Sequence, residues 1–213
     1  IYSTFLQRAY DNIMHDICLQ EDISAVFALD RAGLVGDDGA SHHGVFDISY
    51  LRHLPRMIVI APKDGCELAY MFKWALKQKE PVAIRYPRGN IPELNLNIQT
   101  AEIQVGKPEM LTKGEDVLIV AYGGMVENAL EVVRELENEG IKIGLMNLRF
   151  VKPLCPETFN EMCSGYDTII TLEDHAIQGG AGSAILEIIN ENDLQLGKLI
   201  RLGIPDKFIK YAS

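Results

Sequence analysis

The sequence predicts an α/β fold, two three-layer domains with mainly parallel sheets, and three observations predict it. Short apolar runs alternate with amphipathic stretches along the chain, the pattern of strands joined by crossover helices. The runs are apolar throughout rather than at every second residue, as strands buried on both faces are. The alternation fades between Asn90 and Gly114 and then resumes, so the series falls into two parts.

Residues 3–16 open with a Ser-Thr pair suited to capping and place Phe5, Ala9 and Ile13 near helical spacing, which predicts a first helix. Residues 24–30 (SAVFALD) read as a short buried strand ending on a polar residue. Between Arg31 and Phe46 stand four glycines, two aspartates and two histidines among few apolar residues. A connection that long is uncommon in a compact domain and is usually functional or disordered. A helix at 48–54, a strand at 57–61, a helix at 64–77 and a strand at 82–86 follow, and the last ends in Pro87-Arg88-Gly89. These make a first domain at 1–92. Residues 93–114 read as a linker carrying a strand around 103–105. The second domain, 115–213, runs strand 117–121, helix 126–139 stopped by Gly140, strand 142–147, helix 156–162, strand 168–172, helix 181–190 and strand 199–202.

With 47% hydrophobic and 23% charged side chains, the 213 residues can bury a core, which argues against disorder. Thirty acidic residues against 20 basic ones, with no basic stripe, argue against a nucleic-acid partner. No apolar run reaches the ~20 residues of a membrane span, so no membrane partner is expected. Cys18, Cys66, Cys155 and Cys163 share no metal-ligand spacing, and reduced thiols in a cytoplasmic protein are the expectation. The chain opens at Ile1 on what reads as a strand end entering a helix, the start expected of a piece of a larger protein.

In open parallel sheets ligands collect beyond the carboxyl ends of the strands. Two polar clusters fall there. One comprises Asp30-Arg31-Ala32-Gly33, Gly36-Asp37-Asp38-Gly39 and His42-His43-Gly44; the other is Arg85-Tyr86-Pro87-Arg88-Gly89. Glycines let the backbone approach a ligand, and paired guanidiniums suit a phosphate or carboxylate. An imidazole beside such an anion can exchange protons near neutral pH. Plainer readings stand beside these. Gly-Asp loops serve as turns, Arg85 suits a structural ion pair, His43 could shape the loop, and His15 and His53 suit helix surfaces. Spacing alone predicts a binding site and names no reaction.

The string from Tyr2 to Asp11, DRAGLVGDDGASHHGVFDISYLR at 30–52 and IRYPRGN at 84–90 resemble the transketolase-like, thiamine-diphosphate-dependent family. So do LRFVKPL at 148–154 and EDHAIQGGAGSAI at 173–185, which extends the resemblance over essentially the whole chain. The Asp-Arg-Ala-Gly and Arg-Tyr-Pro-Arg-Gly strings are similar to one branch in particular. That branch condenses pyruvate with D-glyceraldehyde 3-phosphate, releases carbon dioxide and forms 1-deoxy-D-xylulose 5-phosphate for isoprenoid, thiamine and pyridoxal biosynthesis. The resemblance implies that Phe5 stacks on the cofactor's aminopyrimidine ring. It implies that Tyr2, Arg31 and Arg88 grip the triose phosphate with help from Arg8, that His42 is catalytic, and that Asp38 contacts a substrate hydroxyl. His175 and the glycine run at 179–182 look chemical, since a helix N-terminus suits an anion, yet packing is the favoured reading there and for Glu173 and Asp174.

The same resemblance places two necessities outside this chain. One is the Gly-Asp-Gly motif that, with a later Asn, holds the diphosphate through Mg²⁺; Gly36-Asp37-Asp38-Gly39 is no substitute because no correctly placed Asn follows. The other is the glutamate that protonates the aminopyrimidine, expected before Ile1. The expectation is therefore the carboxy-terminal part of a homodimeric transferase, inactive without its amino-terminal domain. Rival readings are transketolase itself, a 2-oxo acid dehydrogenase β-chain, or a non-catalytic module that pairs subunits.

Overall fold

The structure is a computed structural model that describes residues 1–90 and 103–210. Its strands, in chain order, are β1 (Val26–Leu29), β2 (Ile58–Ile60), β3 (Val82–Arg85), β4 (Glu109–Thr112), β5 (Val117–Ala121), β6 (Gly144–Asn147), β7 (Phe150–Lys152), β8 (Thr168–Ala176) and β9 (Lys198–Ile204). The helices are α1 (Ser3–Leu6), α2 (Tyr10–Asn12), α3 (Asp47–Leu51), α4 (Gly65–Ala75), α5 (Met125–Asn138), α6 (Pro156–Cys163) and α7 (Ala181–Glu191). Two sheets result, ordered β1-β3-β2-β7 and β4-β6-β5-β8-β9. All pairings are parallel except β7 on β2 and β4 on β6, each at a sheet edge. The architecture is α/β with mainly parallel sheets.

Strand periodicity sorts the apolar residues into layers, because successive side chains leave opposite faces. Ile58, Ile60, Val82 and Ile84 pack with Met71 and Ala75 of α4 on one face of the first sheet. Ile119, Ala121 and Leu145 pack with Val126, Ala129, Leu130 and Val133 of α5 on the far face of the second. The alternate residues Val59, Ala83, Leu118, Val120 and Met146 share a central core with Ile48, Leu51, Phe159, Ala181 and Ile185. Both sheets thus pack on one common apolar layer. At ~25 cal/mol per Å² of apolar surface buried, this layer couples the stability of the two halves.

The chain passes between the sheets at Arg149. β6 ends in the second sheet, Arg149 turns with φ 58°, and β7 adds to the edge of the first. Phe150, fully buried, fills the layer under α4, and Arg149 accepts a 2.9 Å hydrogen bond from the Ala61 backbone N–H. A charged network fills the crossing. Lys63 Nζ lies 2.9 Å from Glu109 and 3.3 Å from Glu67, and Arg149 lies 2.6 Å from Glu67 and 2.8 Å from Glu109. The two buried cations face two buried carboxylates, as burial requires, with the more exposed Asp64 3.9 Å from Lys63.

Most elements fall within a residue or two of expectation. The first helix is segmented: α1 and α2 are separated by a tight turn at Gln7–Ala9, and a wide turn at Ile13–Cys18 follows. Within the expected linker, residues 93–102 lie outside the described residues. The strand expected around 103–105 is displaced to β4, where the ladder with β6 is available. β7 was not expected, since three residues flanked by Arg149 and Pro153 carry too little pattern. Asp64 caps α4 by accepting a 2.7 Å hydrogen bond from the Glu67 N–H. Among the described residues no helix is long and apolar enough to cross a membrane.

Candidate active site

β1 and β3 are parallel neighbours with Leu29 opposite Arg85, so both chains leave the sheet at the same end. Asp30 and Arg31 follow one strand, Tyr86, Pro87 and Arg88 the other. The Ala32 N–H donates to the Tyr86 carbonyl at 3.0 Å and holds the two tips together. The start of the chain lies alongside, because the Ser3 N–H donates to the Asp30 carbonyl and the Asp30 N–H to the Ile1 carbonyl. This brings Tyr2 and Phe5 to the strand tips.

The long loop closes on itself at its base. Gly33 and Gly44 exchange backbone hydrogen bonds of 2.9 and 2.8 Å, and a methyl group on Gly44 would overlap the Arg31 carbonyl. Above this base the loop is tied to α1, since Thr4 Oγ1 donates to the Ser41 carbonyl at 3.0 Å. His43 is buried and takes the Val35 N–H on Nδ1 at 3.1 Å, so it shapes the loop.

Every side chain expected at the site joins one cluster. The Tyr2 and Phe5 rings stack 5.3 Å apart at 11°, and His42 stands edge-on to Phe5 at 5.4 Å and to Tyr2 at 6.5 Å. The Arg31 guanidinium lies 3.8 Å from the Tyr2 ring centre, and that of Arg8 lies 5.4 Å from the Phe5 ring centre. Asp38 receives Arg88 at 2.9 Å and Arg31 at 3.6 Å, and Arg31 also pairs with Asp30. Ser41 Oγ lies 3.0 Å from His42 Nδ1, which leaves Nε2 for other partners. Arg31 holds φ 60°, a left-handed backbone that costs a non-glycine residue energy and recurs at functional sites.

A cleft of about 450 Å³ opens between the tips, lined by Asp30, Arg31, Lys63, Arg88 and Glu127 among others. Tyr2, Phe5, Arg8, Asp38 and His42 stay outside its lining and meet it at Arg31. Lys63 was not anticipated. It follows β2, a third parallel strand tip, and that position was the available signal. Among the described residues no three His, Cys, Asp or Glu side chains converge as a metal site.

In the second half, the α7 N-terminus already holds a carboxyl group from within the chain. The Ala181 and Gly182 N–H groups donate to the Glu173 carboxylate at 2.8 and 3.3 Å. Burial pushes the Glu173 carboxyl up to about 7, against the pull of those donors and of Arg85. His175 is fully buried, which pushes its imidazole pKa down; it donates from Nδ1 to the Ala176 carbonyl and accepts the Ser49 N–H on Nε2. Arg85 is buried as an ion pair with Asp47 at 3.2 Å and Asp174 at 2.7 Å. Burial opposes its charge, yet these carboxylates outweigh it and hold the pKa well above the ordinary value. Its partners went unanticipated, because they lie in α3 and β8, remote in sequence.

Residues 1–93 match the family description "Transketolase, pyrimidine binding domain" and residues 106–213 match "Transketolase, C-terminal domain". The chain is 49% identical over 212 residues to the 1-deoxy-D-xylulose-5-phosphate synthase of Halothermothrix orenii. It is 50% identical over 210 residues to 1-deoxy-D-xylulose-5-phosphate synthase 1 of Geobacter sulfurreducens. The matches take in 100% and 99% of this chain, which spans about a third (33%) of the length of these curated relatives. Among solved structures, one titled as a split gene transketolase, inactive β4 tetramer, superposes with a TM-score of 0.85 at 31% identity, covering 97% of this chain and 66% of that one. A transketolase variant from Pichia stipitis shares the fold, with a TM-score of 0.78 at 21% identity over 100% of this chain and 30% of its own.

Proposed function

Because the chain belongs to the transketolase family, we propose that it is the carboxy-terminal part of a 1-deoxy-D-xylulose-5-phosphate synthase, a thiamine-diphosphate-dependent transferase. In this reading 1–92 is the pyrimidine-binding-type domain and 115–213 the carboxy-terminal-type domain. The intact cytoplasmic dimer condenses pyruvate with D-glyceraldehyde 3-phosphate and releases carbon dioxide. The observation that carries the reading is the convergence of Arg31 and Arg88, from two parallel strand tips, on a single carboxylate. Two guanidiniums so arranged suit the dianion of a triose phosphate.

The cofactor, when bound, supplies a carbon nucleophile and an electron sink for decarboxylation. A flat heterocycle fits the aromatic corner of Phe5 and Tyr2, two rings within 11° of parallel. Mg²⁺ does not fit a donor set described on this chain, so its ligands belong to the amino-terminal domain. Arg31 and Arg88 orient the acceptor phosphate, Tyr2 lends a hydroxyl and Arg8 adds positive charge. Asp38 accepts a hydrogen bond from a substrate hydroxyl. His42 holds or delivers a proton at the substrate carbonyl through Nε2. The chain by itself is inactive.

The test is an assay of the full-length protein with pyruvate and D-glyceraldehyde 3-phosphate. Arg88→Ala and Arg31→Ala should each raise KM for the triose phosphate about tenfold or more, with pyruvate less affected. Transfer of a two-carbon unit from a ketose phosphate instead would overturn the assignment. A second reading, a unit that mainly pairs subunits, is favoured by the likeness to a split-gene subunit whose title calls its tetramer inactive. It prevails if Arg88→Ala changes assembly and leaves KM alone.

A further inference from the structure

The loop that carries Arg31, Asp38 and His42 is braced from the second sheet. Arg85 has three anchors: Asp47 at the start of α3, the Gly44 carbonyl at 3.3 Å, and Asp174 at the end of β8. Gly44 forms one side of the loop base. Gly33 forms the other, and it lies so close to Asp174 that a methyl group there would overlap the second carboxylate oxygen. One carboxylate therefore reaches both sides of the base, gripping Gly44 through Arg85 and abutting Gly33 directly. The Ala176 N–H adds a 3.0 Å hydrogen bond to the Val45 carbonyl just beyond. Arg31, with its left-handed backbone, stands two residues before Gly33 and depends on that base for its direction.

We infer that Asp174 is a positioning residue for the anion grip: acting through Arg85 and against Gly33, it sets the Arg31 loop so that both guanidiniums face one ligand. The inference rests on the reading that Arg31 and Arg88 bind a phosphate. It gives the carboxy-terminal half a part in substrate recognition without contact to substrate. A displacement of about 1 Å in such a support is enough to cost a preorganised site most of its affinity.

Charge and positioning predict opposite signs. Asp174→Asn removes a negative charge from the cleft that Arg88 also lines, so electrostatics alone would tighten phosphate binding. Loss of positioning weakens it. Calorimetric titration of the 213-residue chain with inorganic phosphate should show about tenfold weaker binding in Asp174→Asn, with the near-ultraviolet circular dichroism retained. Gly33→Ala pushes on the same base and on the Asp174 carboxylate without adding or removing a charge, and should weaken binding likewise, so it decides the matter if Asp174→Asn does not fold. In the full-length enzyme both variants should raise KM for the triose phosphate and leave kcat within about twofold. Binding in a folded Asp174→Asn that equals or exceeds wild type, or an unaltered Gly33→Ala, overturns the inference alone. A wild-type chain that binds no phosphate sinks it together with the reading beneath it.

Discussion

Asp38 and Arg88, 50 residues apart in sequence, are joined by a 2.9 Å ion pair. Arg31 approaches the same carboxylate. On the proposed function, a phosphate entering the grip would have to displace this internal competitor. Asp38→Asn should tighten the binding of inorganic phosphate several-fold by calorimetry, since neutralising the competitor frees both guanidiniums. On the proposed function, turnover in the full-length enzyme should fall, because Asp38 would lose its carboxylate contact to a substrate hydroxyl. Weaker phosphate binding would show that Asp38 assembles the grip rather than competing for it.

Glu173 predicts a pH signature. Its folded value of about 7 lies above an unfolded value of 4.5, so the native state holds the extra proton between them. A raised carboxyl contributes stability that is complete below the unfolded value and is lost as pH climbs through the folded one. The linkage is on the order of 3 kcal/mol. Glu173→Gln keeps an acceptor for the α7 N-terminus and removes the titration. Urea midpoints should show the variant gaining on the wild type between about pH 5 and about pH 8. A pH-independent difference would place the proton elsewhere.

Arg85→Leu leaves Asp47 and Asp174 buried without their cation. Breaking one side of a buried pair costs about 3–5 kcal/mol, far above an exposed ion pair. Denaturant titration should register a loss of that size. The Arg52–Glu187 contact, with Glu187 half exposed and the pair 2.5 Å apart, makes the comparison: Glu187→Gln should cost under about 1 kcal/mol.

His42→Ala should separate stability from catalysis. The ring stands edge-on to Phe5 and is only partly buried, so its removal should cost about 1 kcal/mol of stability. In the full-length enzyme the loss in kcat should reach about a hundredfold, the usual scale of a proton-transfer group. A much smaller loss would hand the proton to another residue.

The clustering of the candidate residues was legible in the sequence wherever they sit at strand tips within contiguous strings. Asp30-Arg31 and Pro87-Arg88 announce themselves because an apolar strand run ends on charge. Their convergence follows from β1 and β3 being neighbours, which alternation of strands and helices makes natural. The bracing of the loop was not legible, because the Arg85–Asp174 contact spans 89 residues and two sheets. Nor was β7, whose Phe150 looks like any buried aromatic until the edge of β2 is seen to need a partner. Glu173 was readable as a residue of packing, yet the helix donors it satisfies emerge only once β8 and α7 are placed side by side.

The return of the chain to the first sheet at Arg149 makes the two halves poor candidates for separate inheritance. Part the polypeptide between β2 and β7 and β2 is left with a raw edge of unpaired N–H and C=O groups, open to recruitment by a stranger's strand. A chimera that swaps the front half between relatives would have to carry Phe150–Lys152 along with it, so the natural seam for shuffling lies beyond Lys152 and not in the stretch where the sequence pattern fades.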